Sequence, residues 1–490
     1  MEILNNTIMK KKSARPIKIV QFGEGNFLRA FVDWFLQELN DAGLYHGDVA
    51  VIQPQPTGRI KALKAQDGRY TLIQEGMKDG QFTSEIKVID VLQQFIDPYT
   101  AYEAYLKLAE VDTLEFVISN TTEAGIVLDE TDLMSNTPPT SFPGKLLAFL
   151  HHRYETFHGD MNKGLYVIPC ELIDDNGDEL HRCLKELAII NGLSTAFLTW
   201  LSEANTFTNT LVDRIVPGYP TEQAAELTKK LGYIDDNMVM GEIYHLWVIE
   251  DRGGISNRLN GAKLGLNMIF TSDIKPYKIQ KVRILNGLHT LMVPVAYLLG
   301  LNTVGDVMKN ESLLTFIKNT TNLEIIPATG QYLPTELLHT FAHDVYDRFS
   351  NPQIHHELMA IALNAIAKFK SRLLPTALDY VSIKGKFPPH IAFSLASLLL
   401  FYKGWRHDEQ INLQDDPAVL AFFKTLWQPT GEEISEQFLV SKCLKNTALW
   451  GMDLNDIPGA TEQVVEWMEK IIESGMAAAL RQFLASIDEN

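Results

Sequence analysis

A short segment in the second half of the chain carries three polar residues, Lys281, Asn286 and His289. On an α-helix at about 100° per residue, Asn286 would lie about 140° from Lys281 and His289 about 80° from it, so all three fit one side of a helix. The other residues of that side are apolar, and buried polar groups need partners there. The pattern indicates either a reaction site or an exposed lysine beside a hydrogen-bonded core amide and imidazole, and spacing alone favours the second.

The chemistry that these residue types would serve is hydride transfer to or from a secondary alcohol. That reaction needs a group that accepts the hydroxyl proton and donors that hold the developing alkoxide. Partial desolvation lowers the pKa of a lysine, so Lys281 would act as base in oxidation and as acid in reduction. Asn286 would donate to the alkoxide oxygen, and His289 would orient the substrate or the lysine.

The N-terminal part carries a second pattern, a strand-like run that leads into two glycines one residue apart. Its residues are Ile17–Phe22 followed by Gly23, Glu24, Gly25, Asn26, Phe27, Leu28 and Arg29. In a dinucleotide-binding βαβ unit, the first glycine permits the turn and the second lets a pyrophosphate approach the backbone. Leu28 replaces the usual third glycine, and Glu24 is an unusual neighbour for a pyrophosphate. The alternative is an ordinary glycine-rich turn.

The end of the next strand bears on the choice of dinucleotide. An acidic residue there would favour the ribose 2′-hydroxyl of NAD, but Gln53 and Pro54 follow residues 49–52. Arg59 is close enough in sequence to reach a 2′-phosphate. These residues leave NAD and NADP open.

The predicted secondary structure around these two patterns changes along the chain. Short β-type runs at 17–22, 49–52, 116–119 and 165–168 alternate with helix-length segments, which predicts a parallel sheet covered on both faces. Beyond about residue 275, helical spacing dominates, as at 281–301, 357–374, 390–402 and 459–487. We expect an α/β fold with a Rossmann-type domain at 1–272 and a mostly helical substrate and catalytic domain at 273–490, joined near Pro276.

Composition narrows the partners. The chain has 490 residues, with 43 Lys and Arg against 61 Asp and Glu, a net charge of -18. Such a charge disfavours nucleic acid and anionic lipid, and an anionic substrate would need a local cluster of cations. Three cysteines without a CxxC pair fit a reducing cytoplasm. The uncharged stretch 284–305 contains Asn286, His289 and Asn302 and predicts a buried core helix rather than a membrane span.

The two patterns together resemble a known family. K-x4-N-x2-H is similar to the signature of the long-chain polyol-specific dehydrogenases, the mannitol dehydrogenase family, and GEGNFLRAF resembles that family's glycine turn, including its leucine. The resemblance covers nearly the whole chain, through 119–125 (SNTTEAG), 169–178 (PCELIDDNGD), 211–220 (LVDRIVPGYP), 273–278 (DIKPYK), 348–356 (RFSNPQIHH) and 368–375 (KFKSRLLP).

The resemblance implies a Rossmann-type domain, a helical C-terminal domain, NAD as cofactor and no catalytic metal. It implies that Lys281 is the general acid/base and that Asn286 belongs to the oxyanion site. The cofactor is expected to contact the first strand and turn, the end of the second strand and the segment after the 116–119 strand. These residues are Ile19, Gln21, Phe22, Gly23, Glu24, Gly25, Asn26, Phe27, Leu28, Arg29, Gln53, Asn120 and Thr121.

Two departures from the family bear on the substrate. Relatives that oxidise polyols typically carry Cys-Asp-Asn where this chain has Cys170-Glu171-Leu172, so a second oxyanion donor is missing. Relatives often have Glu three residues before the catalytic lysine, where this chain has Lys278. A cation there would suit a substrate with its own carboxylate, such as a hexuronate.

The remaining candidates are substrate contacts, each with a structural alternative. Arginine and lysine suit carboxylate binding, although any one of them is more often a solvated helix residue. Asp213 and Arg214 have the alternative of an ion pair that braces the following Pro-Gly turn. The candidate substrate-binding residues are Asp213, Arg214, Lys278, Arg348, His356 and Lys368. Adjacent residues of a helix point about 100° apart, so His355 and His356 do not predict a metal site.

The resemblance implies an NAD-dependent oxidoreductase that interconverts D-tagaturonate and D-altronate in hexuronate breakdown. Reduction of fructuronate to mannonate and mannitol-type polyol oxidation are the nearest alternatives. A regulatory protein that binds a dinucleotide without turnover is the alternative of a different class. The sequence does not specify an oligomeric state.

Overall fold

The computed structural model describes residues 1–10, 15–122, 124–428 and 435–488. The chain forms two compact units. The first unit comprises Met1–Glu75 and Thr83–Ile274, and the second comprises Gly76–Phe82 and Lys275–Asn490. The short segment Gly76–Phe82 therefore groups with the second unit and is an exception to the predicted domain at 1–272.

The first unit contains most of the strands. They are β1 Ile17–Phe22, β2 Asp48–Ile52, β3 Tyr70–Lys78, β4 Gln81–Ile89, β5 Leu92–Ile96, β6 Phe116–Ser119, β7 Tyr166–Pro169, β8 Thr206–Phe207, β9 Thr210–Asp213, β10 Val239–Glu242, β11 Leu246–Glu250 and β12 Met268–Thr271. The predicted strands at 17–22, 49–52, 116–119 and 165–168 correspond to β1, β2, β6 and β7, with ends that agree within one residue.

A parallel six-stranded sheet forms the centre of the first unit. Its order is β5-β2-β1-β6-β7-β8, and every neighbouring pair is parallel. From β1 the chain passes to β2 on one side, and after β5 it crosses to β6 on the other side of β1. The carboxyl end of β1 is therefore a topological switch point, where such sheets bind ligands. The predicted Rossmann-type α/β fold is confirmed.

Apolar cores cover both faces of this sheet because its strands are apolar on both sides. Ile19 belongs to one core, with Val49, Phe116 and Trp247. Phe22 belongs to the other. Alternate residues of β1 therefore anchor opposite faces and fix the position of the turn that follows.

The helices of the first unit lie between these strands. They are α1 Asn26–Ala30, α2 Val32–Asp41, α3 Ile60–Ala65, α4 Tyr102–Leu108, α5 Phe142–Thr156, α6 Asn176–Ile190, α7 Thr195–Glu203 and α8 Ala224–Leu231. A break at Phe31, which has φ −126° and ψ −80°, separates α1 from α2. Phe31 and Phe35 still pack together and against Trp247, so the break re-aims the helix without exposing its apolar side.

The second unit is almost entirely helical, as predicted. Its helices are α9 Lys275–Gln280, α10 Gly287–Leu298, α11 Val304–Lys309, α12 Glu311–Thr320, α13 Ile326–Thr329, α14 Thr335–Phe349, α15 Leu358–Ala362, α16 Ala365–Arg372, α17 Leu374–Lys384, α18 Pro389–Phe401, α19 Pro417–Trp427, α20 Glu436–Leu444, α21 Thr447–Trp450, α22 Ala460–Ser474 and α23 Met476–Asp488. A two-residue hairpin pair, β13 Trp405–Arg406 and β14 Glu409–Gln410, is antiparallel.

Two predicted long helices are interrupted. The segment 357–374 divides at Asn364, whose φ of +54° ends α15 and begins α16. The segment 459–487 divides at Gly475, with φ +80°. A residue with a positive φ cannot continue a right-handed helix, and apolar periodicity does not reveal such a residue. Within the described ranges, no helix combines the length and the apolar character that a membrane span requires.

Candidate active site

Lys281 and Asn286 lie in a π-helical segment, Lys281–Asn286, between α9 and α10. A π-helix is closed by i→i+5 hydrogen bonds, so residues five apart lie about one turn apart on the same side of the helix. The estimate of about 140° between the two side chains assumed an α-helix and was wrong. The K-x4-N spacing therefore places the amine and the amide on the same face. Such π-segments often occur at functional sites.

His289 follows on α10 in a setting that keeps its ring neutral. Its centroid lies 4.3 Å from that of Phe349 and 5.0 Å from that of His356. Its Nε2 is shielded from solvent and meets no hydrogen-bond partner among the described residues. Burial, followed by the charges of His356 and Arg348, lowers the pKa of His289 well below its usual value. A neutral imidazole with an unused nitrogen is suited to a hydrogen bond with a ligand.

A group of cations lies around His289 in the second unit. Arg348, Lys368 and Arg372 all lower its pKa through their charges. Arg372 Nη1 donates to Thr290 Oγ1 at 3.2 Å, and Lys368 Nζ donates to the Ile361 carbonyl at 2.9 Å. Burial and the charge of Arg372 lower the pKa of Lys368. We call Arg348, His356, Lys368 and Arg372 the cationic cluster.

The cationic cluster brings together three of the predicted substrate contacts, Arg348, His356 and Lys368. Arg348 is buried, whereas His356 and Lys368 are partly exposed. Burial lowers the pKa of His356 as well. Lys278 lies on α9 three residues before Lys281 and is partly exposed. The cluster gives an acidic protein the local positive charge that an anionic ligand needs.

The two glycines after β1 serve different purposes. Gly23 has φ +122°, and a Cβ there would lie 2.9 Å from the Asn120 carbonyl oxygen and 3.0 Å from Leu28 Cδ1. The backbone therefore requires a glycine at 23. Gly25 has an ordinary φ of −67°, and a Cβ there would meet nothing within 4 Å. The fold does not require a glycine at 25, so its missing side chain leaves room for a ligand.

The side chains of the turn mostly brace it from inside. Arg29 is fully buried, and it donates to the Glu24 carbonyl at 3.2 Å and to Asn26 Oδ1 at 2.6 Å. Gln21 Nε2 donates to the Gly23 carbonyl at 3.0 Å. Ile19, Phe22 and Leu28 are buried in the cores, and Phe27 stacks on Phe31 at 4.9 Å. For Arg29 and for the buried residues Ile19, Phe22 and Leu28, contact with a cofactor would have to come from backbone atoms.

A buried carboxylate, at the position where relatives typically carry Asp, holds the carboxyl end of β6. Glu171 accepts hydrogen bonds from Ser119 Oγ at 3.0 Å, Thr121 N at 2.9 Å and Thr121 Oγ1 at 3.0 Å. Asn120 Nδ2 donates to the Cys170 carbonyl at 2.7 Å. Burial raises the pKa of Glu171. The predicted cofactor contacts Asn120 and Thr121 are thus positioned by the loop after β7. Their neighbour Glu123 lies outside the described residues.

A cavity of about 620 Å³ opens at the carboxyl ends of β2 and β5, next to the predicted contact Gln53. Its volume is in the range of small-molecule and cofactor sites. The lining combines apolar and charged side chains from both strand ends and from α3, including Ile60, Lys61, Lys64, Phe95 and Asp97.

Arg214 is held inside the first unit. It is buried, its Nε donates to the Glu242 carbonyl at 2.8 Å, and its Nη1 donates to the Ala30 carbonyl at 2.6 Å. Its guanidinium lies over the Trp34 ring at 4.6 Å, and burial lowers its pKa to about 9. These contacts favour a bracing role for Arg214 over contact with a substrate. Asp213 is buried at the end of β9.

Neither a metal nor a reactive thiol is indicated. Within the described ranges, no group of three or more His, Cys, Asp and Glu side chains is arranged to hold a metal ion. Cys170, Cys183 and Cys443 are buried free thiols, and burial raises the pKa of each. Leu172, which occupies the position of the missing donor, is 59% exposed.

Family models match both parts of the chain. The mannitol dehydrogenase Rossmann domain matches residues 17–261, and the mannitol dehydrogenase C-terminal domain matches residues 273–472. Among curated relatives, the altronate oxidoreductase of Bacillus subtilis is 47% identical over 99% of this chain and 98% of its own length. That of Yersinia enterocolitica is 43% identical over 99% of this chain and 100% of its own length.

Solved structures share the fold at lower identity. A substrate-free D-sorbitol dehydrogenase has a TM-score of 0.79 and 24% identity, covering 98% of this chain and 100% of that one. Mannitol 2-dehydrogenase of Pseudomonas fluorescens, in a ternary complex with NAD and D-mannitol, has a TM-score of 0.67 and 20% identity. That alignment covers 99% of this chain and 100% of that one.

Proposed function

We propose that this chain, which belongs to the mannitol dehydrogenase family, is an NAD-dependent oxidoreductase that interconverts D-tagaturonate and D-altronate. The observation that carries the proposal is the placing of Lys281 and Asn286 on one face of a π-helical segment, next to a cationic cluster. The altronate oxidoreductases at 47% and 43% identity support the choice of substrate.

Lys281 is the proton donor in reduction. The bound nicotinamide supplies the hydride. As the keto group of the substrate becomes an alcohol, Lys281 Nζ gives a proton to its oxygen, and in oxidation Nζ takes the proton back. Asn286 Nδ2 donates to the same oxygen and stabilises its developing negative charge. The position of both groups on the same side of the π-helical segment supports their action on one oxygen.

The neutral ring of His289 and the cationic cluster hold the rest of the substrate. The free Nε2 of His289 pairs with a sugar hydroxyl, and a neutral ring avoids competing with Lys281 for the proton. Arg348 and Lys368 bind the carboxylate of the hexuronate, for which guanidinium and ammonium groups are suited. Lys278 adds positive charge near Lys281. A net charge of -18 makes such a local cluster necessary for an anionic substrate.

The first unit fits a dinucleotide. Gly25 leaves open space at the turn after β1, where the backbone can approach a pyrophosphate. Gly23, Asn120 and Thr121 form the edge at the switch point between β1 and β6, and the cavity beyond Gln53 fits an adenosine.

The test is the loss of NADH absorbance with tagaturonate, fructuronate and fructose measured side by side, and the reverse reaction with altronate and NAD. We expect the largest kcat/KM for tagaturonate. A larger value for fructuronate would assign the sister activity, and a larger value for fructose would assign a polyol dehydrogenase. Tight NADH binding without turnover of any of the three would indicate a regulatory protein.

A further inference from the structure

Two buried acceptor groups stand together beside the cavity at the end of β2, Glu24 Oε1 and Gln53 Oε1. A Cβ on Gly58 would lie 2.0 Å from the first and 2.6 Å from the second, so both oxygens converge on this glycine. Glu24 is 8% exposed and Gln53 is 5% exposed. Gln53 and Gly58 line the cavity, and Glu24 lies directly against them.

Local hydrogen bonds fix the direction of both side chains. Glu24 Oε1 accepts from the backbone N–H of Arg59 at 3.1 Å, which ties the carboxylate to the loop after β2. Gln53 Nε2 donates to the Gln55 carbonyl at 3.0 Å, which directs its oxygen towards Gly58. An acidic group thus stands near the end of β2, although it comes from the turn after β1.

The charges around the cavity determine what the Glu24 carboxylate does to a nucleotide phosphate bound there. Lys61 and Lys64 line the cavity together with a single acid, Asp97, so the lining alone has a net positive charge. Such a lining would attract the 2′-phosphate of NADP. In its ionised form, Glu24 opposes that attraction. Burial raises the pKa of Glu24, and the hydrogen bond from Arg59 N and the charges of Arg29 and Arg59 act against that rise.

We propose that Glu24 and Gln53 form the ribose end of the cofactor site and select NAD over NADP, an inference that rests on the proposed function. The Gln53 oxygen accepts a hydrogen bond from the ribose, and the Glu24 carboxylate repels a 2′-phosphate. The acid that usually ends the second strand of a dinucleotide-binding unit has its counterpart here in the first turn. Glu24, which is an unusual neighbour for a pyrophosphate, thereby has a function at the ribose.

The test is fluorescence titration of NADH and NADPH, at constant salt, with the wild-type chain and Glu24→Gln. Glutamine keeps an oxygen acceptor for Arg59 N, so the loop is expected to hold. We expect the wild type to bind NADH at least about tenfold more tightly than NADPH, and Glu24→Gln to tighten NADPH binding at least about tenfold with less than about a threefold change for NADH. Glu103→Gln, which removes an exposed charge from α4 beside the cavity, should leave the ratio unchanged.

The assignment would be overturned if Glu24→Gln left the ratio of the NADPH to the NADH dissociation constant unchanged. It would also be overturned if Glu103→Gln changed that ratio equally. If Glu24→Gln does not fold, Gln53→Leu gives a second measurement, because loss of the amide should weaken NADH binding at least about fivefold. No change there would also overturn it. Equal binding of both nucleotides by an active wild type would refute the selectivity alone. Binding of neither nucleotide would instead refute the proposed function.

Discussion

The turn after β1 and the helix around Lys281 differ in which groups face the space proposed for a ligand. At the turn, Arg29 and Gln21 point inward to backbone carbonyls, and what faces outward is the space beside Gly25. Around Lys281, the side chains themselves form the site, and burial and neighbouring charges lower the pKa of both His289 and Lys368. The first region offers a ligand mainly its backbone, whereas the second offers side chains whose pKa values are shifted by their surroundings.

This difference predicts how each region responds to mutation. A backbone site is sensitive to added bulk and tolerant of lost functional groups, since its binding groups are peptide N–H groups. A side-chain site is sensitive to the loss of a single functional group, because that group takes part in the transition state. Variants in the two regions should therefore separate cofactor binding from turnover.

The largest effect is expected for Lys281→Met. Removing the proton donor should lower kcat by roughly 10²–10⁴-fold, with NADH binding nearly unchanged. The measurement combines steady-state kinetics with NADH titration by fluorescence. Lys384→Met, which removes an exposed lysine at the end of α17, is the control and should retain full activity. If Lys281→Met kept more than about a tenth of the wild-type kcat, Lys281 would not be the acid/base.

The converse effect is expected for Gly25→Val. A valine has room in the unliganded fold but occupies the space proposed for the pyrophosphate, so the NADH dissociation constant should rise by about 100-fold. Circular dichroism should show a folded protein. Gly23→Ala is the contrasting variant: its strained φ and its contact with the Asn120 carbonyl should lower the unfolding free energy by about 1–3 kcal/mol. An unchanged NADH dissociation constant in folded Gly25→Val would show that the cofactor does not bind at this turn.

An intermediate effect is expected for Lys278→Glu, which reverses a charge without touching the proton donor. The kcat/KM for tagaturonate should fall at least about tenfold, and that for uncharged fructose far less. Both are measured at one ionic strength, because salt screens partly exposed charges. Lys275→Glu makes the same charge change on the same helix and is the control. Equal losses on both substrates would show that Lys278 supports the helix or the chemistry rather than carboxylate binding.

The smallest effect concerns a bracing group behind the turn, Asp33. The Tyr70 hydroxyl lies 2.7 Å from the Arg29 carbonyl and 3.0 Å from Asp33 Oδ2. The hydroxyl donates to both oxygens. Burial raises the pKa of Asp33 to about 7, although the hydrogen bond from Tyr70 and the charge of Arg29 lower it.

This shift makes the stability of the first unit depend on pH. The folded state binds the proton of Asp33 more tightly than the unfolded state does, so the unfolding free energy should fall as pH rises from about 4 to about 7. Asp33→Asn should remove this pH dependence. In urea unfolding, the free energy of unfolding of Asp33→Asn minus that of the wild type should be about 2 kcal/mol larger at pH 8 than at pH 5. Asp236→Asn, at an exposed position, is the control. Parallel pH profiles for wild type and Asp33→Asn would contradict a protonated Asp33.

Much of the fold was predictable because its signals are local. The β-type runs at 17–22 and 116–119 became β1 and β6, and the glycines after β1 indicated the turn. The roles of the side chains in that turn were not predictable. Arg29 and Glu24 have the same polarity whether they face a ligand or the interior, and only contacts from distant segments, such as Arg59 N, decide between these orientations.

The element types, the parallel sheet and the set of Lys281, Asn286 and His289 follow from local patterns, because apolar periodicity, glycine spacing and residue chemistry can be read from the order of residues. How these groups meet depends on the folded chain. It replaced an α-helical turn at Lys281–Asn286 with a π-helical one, surrounded His289 with Arg348 and Lys368, and placed Glu171 under Thr121. Each of these depends on packing between segments far apart in the chain, and a pattern confined to neighbouring residues carries no information about that packing.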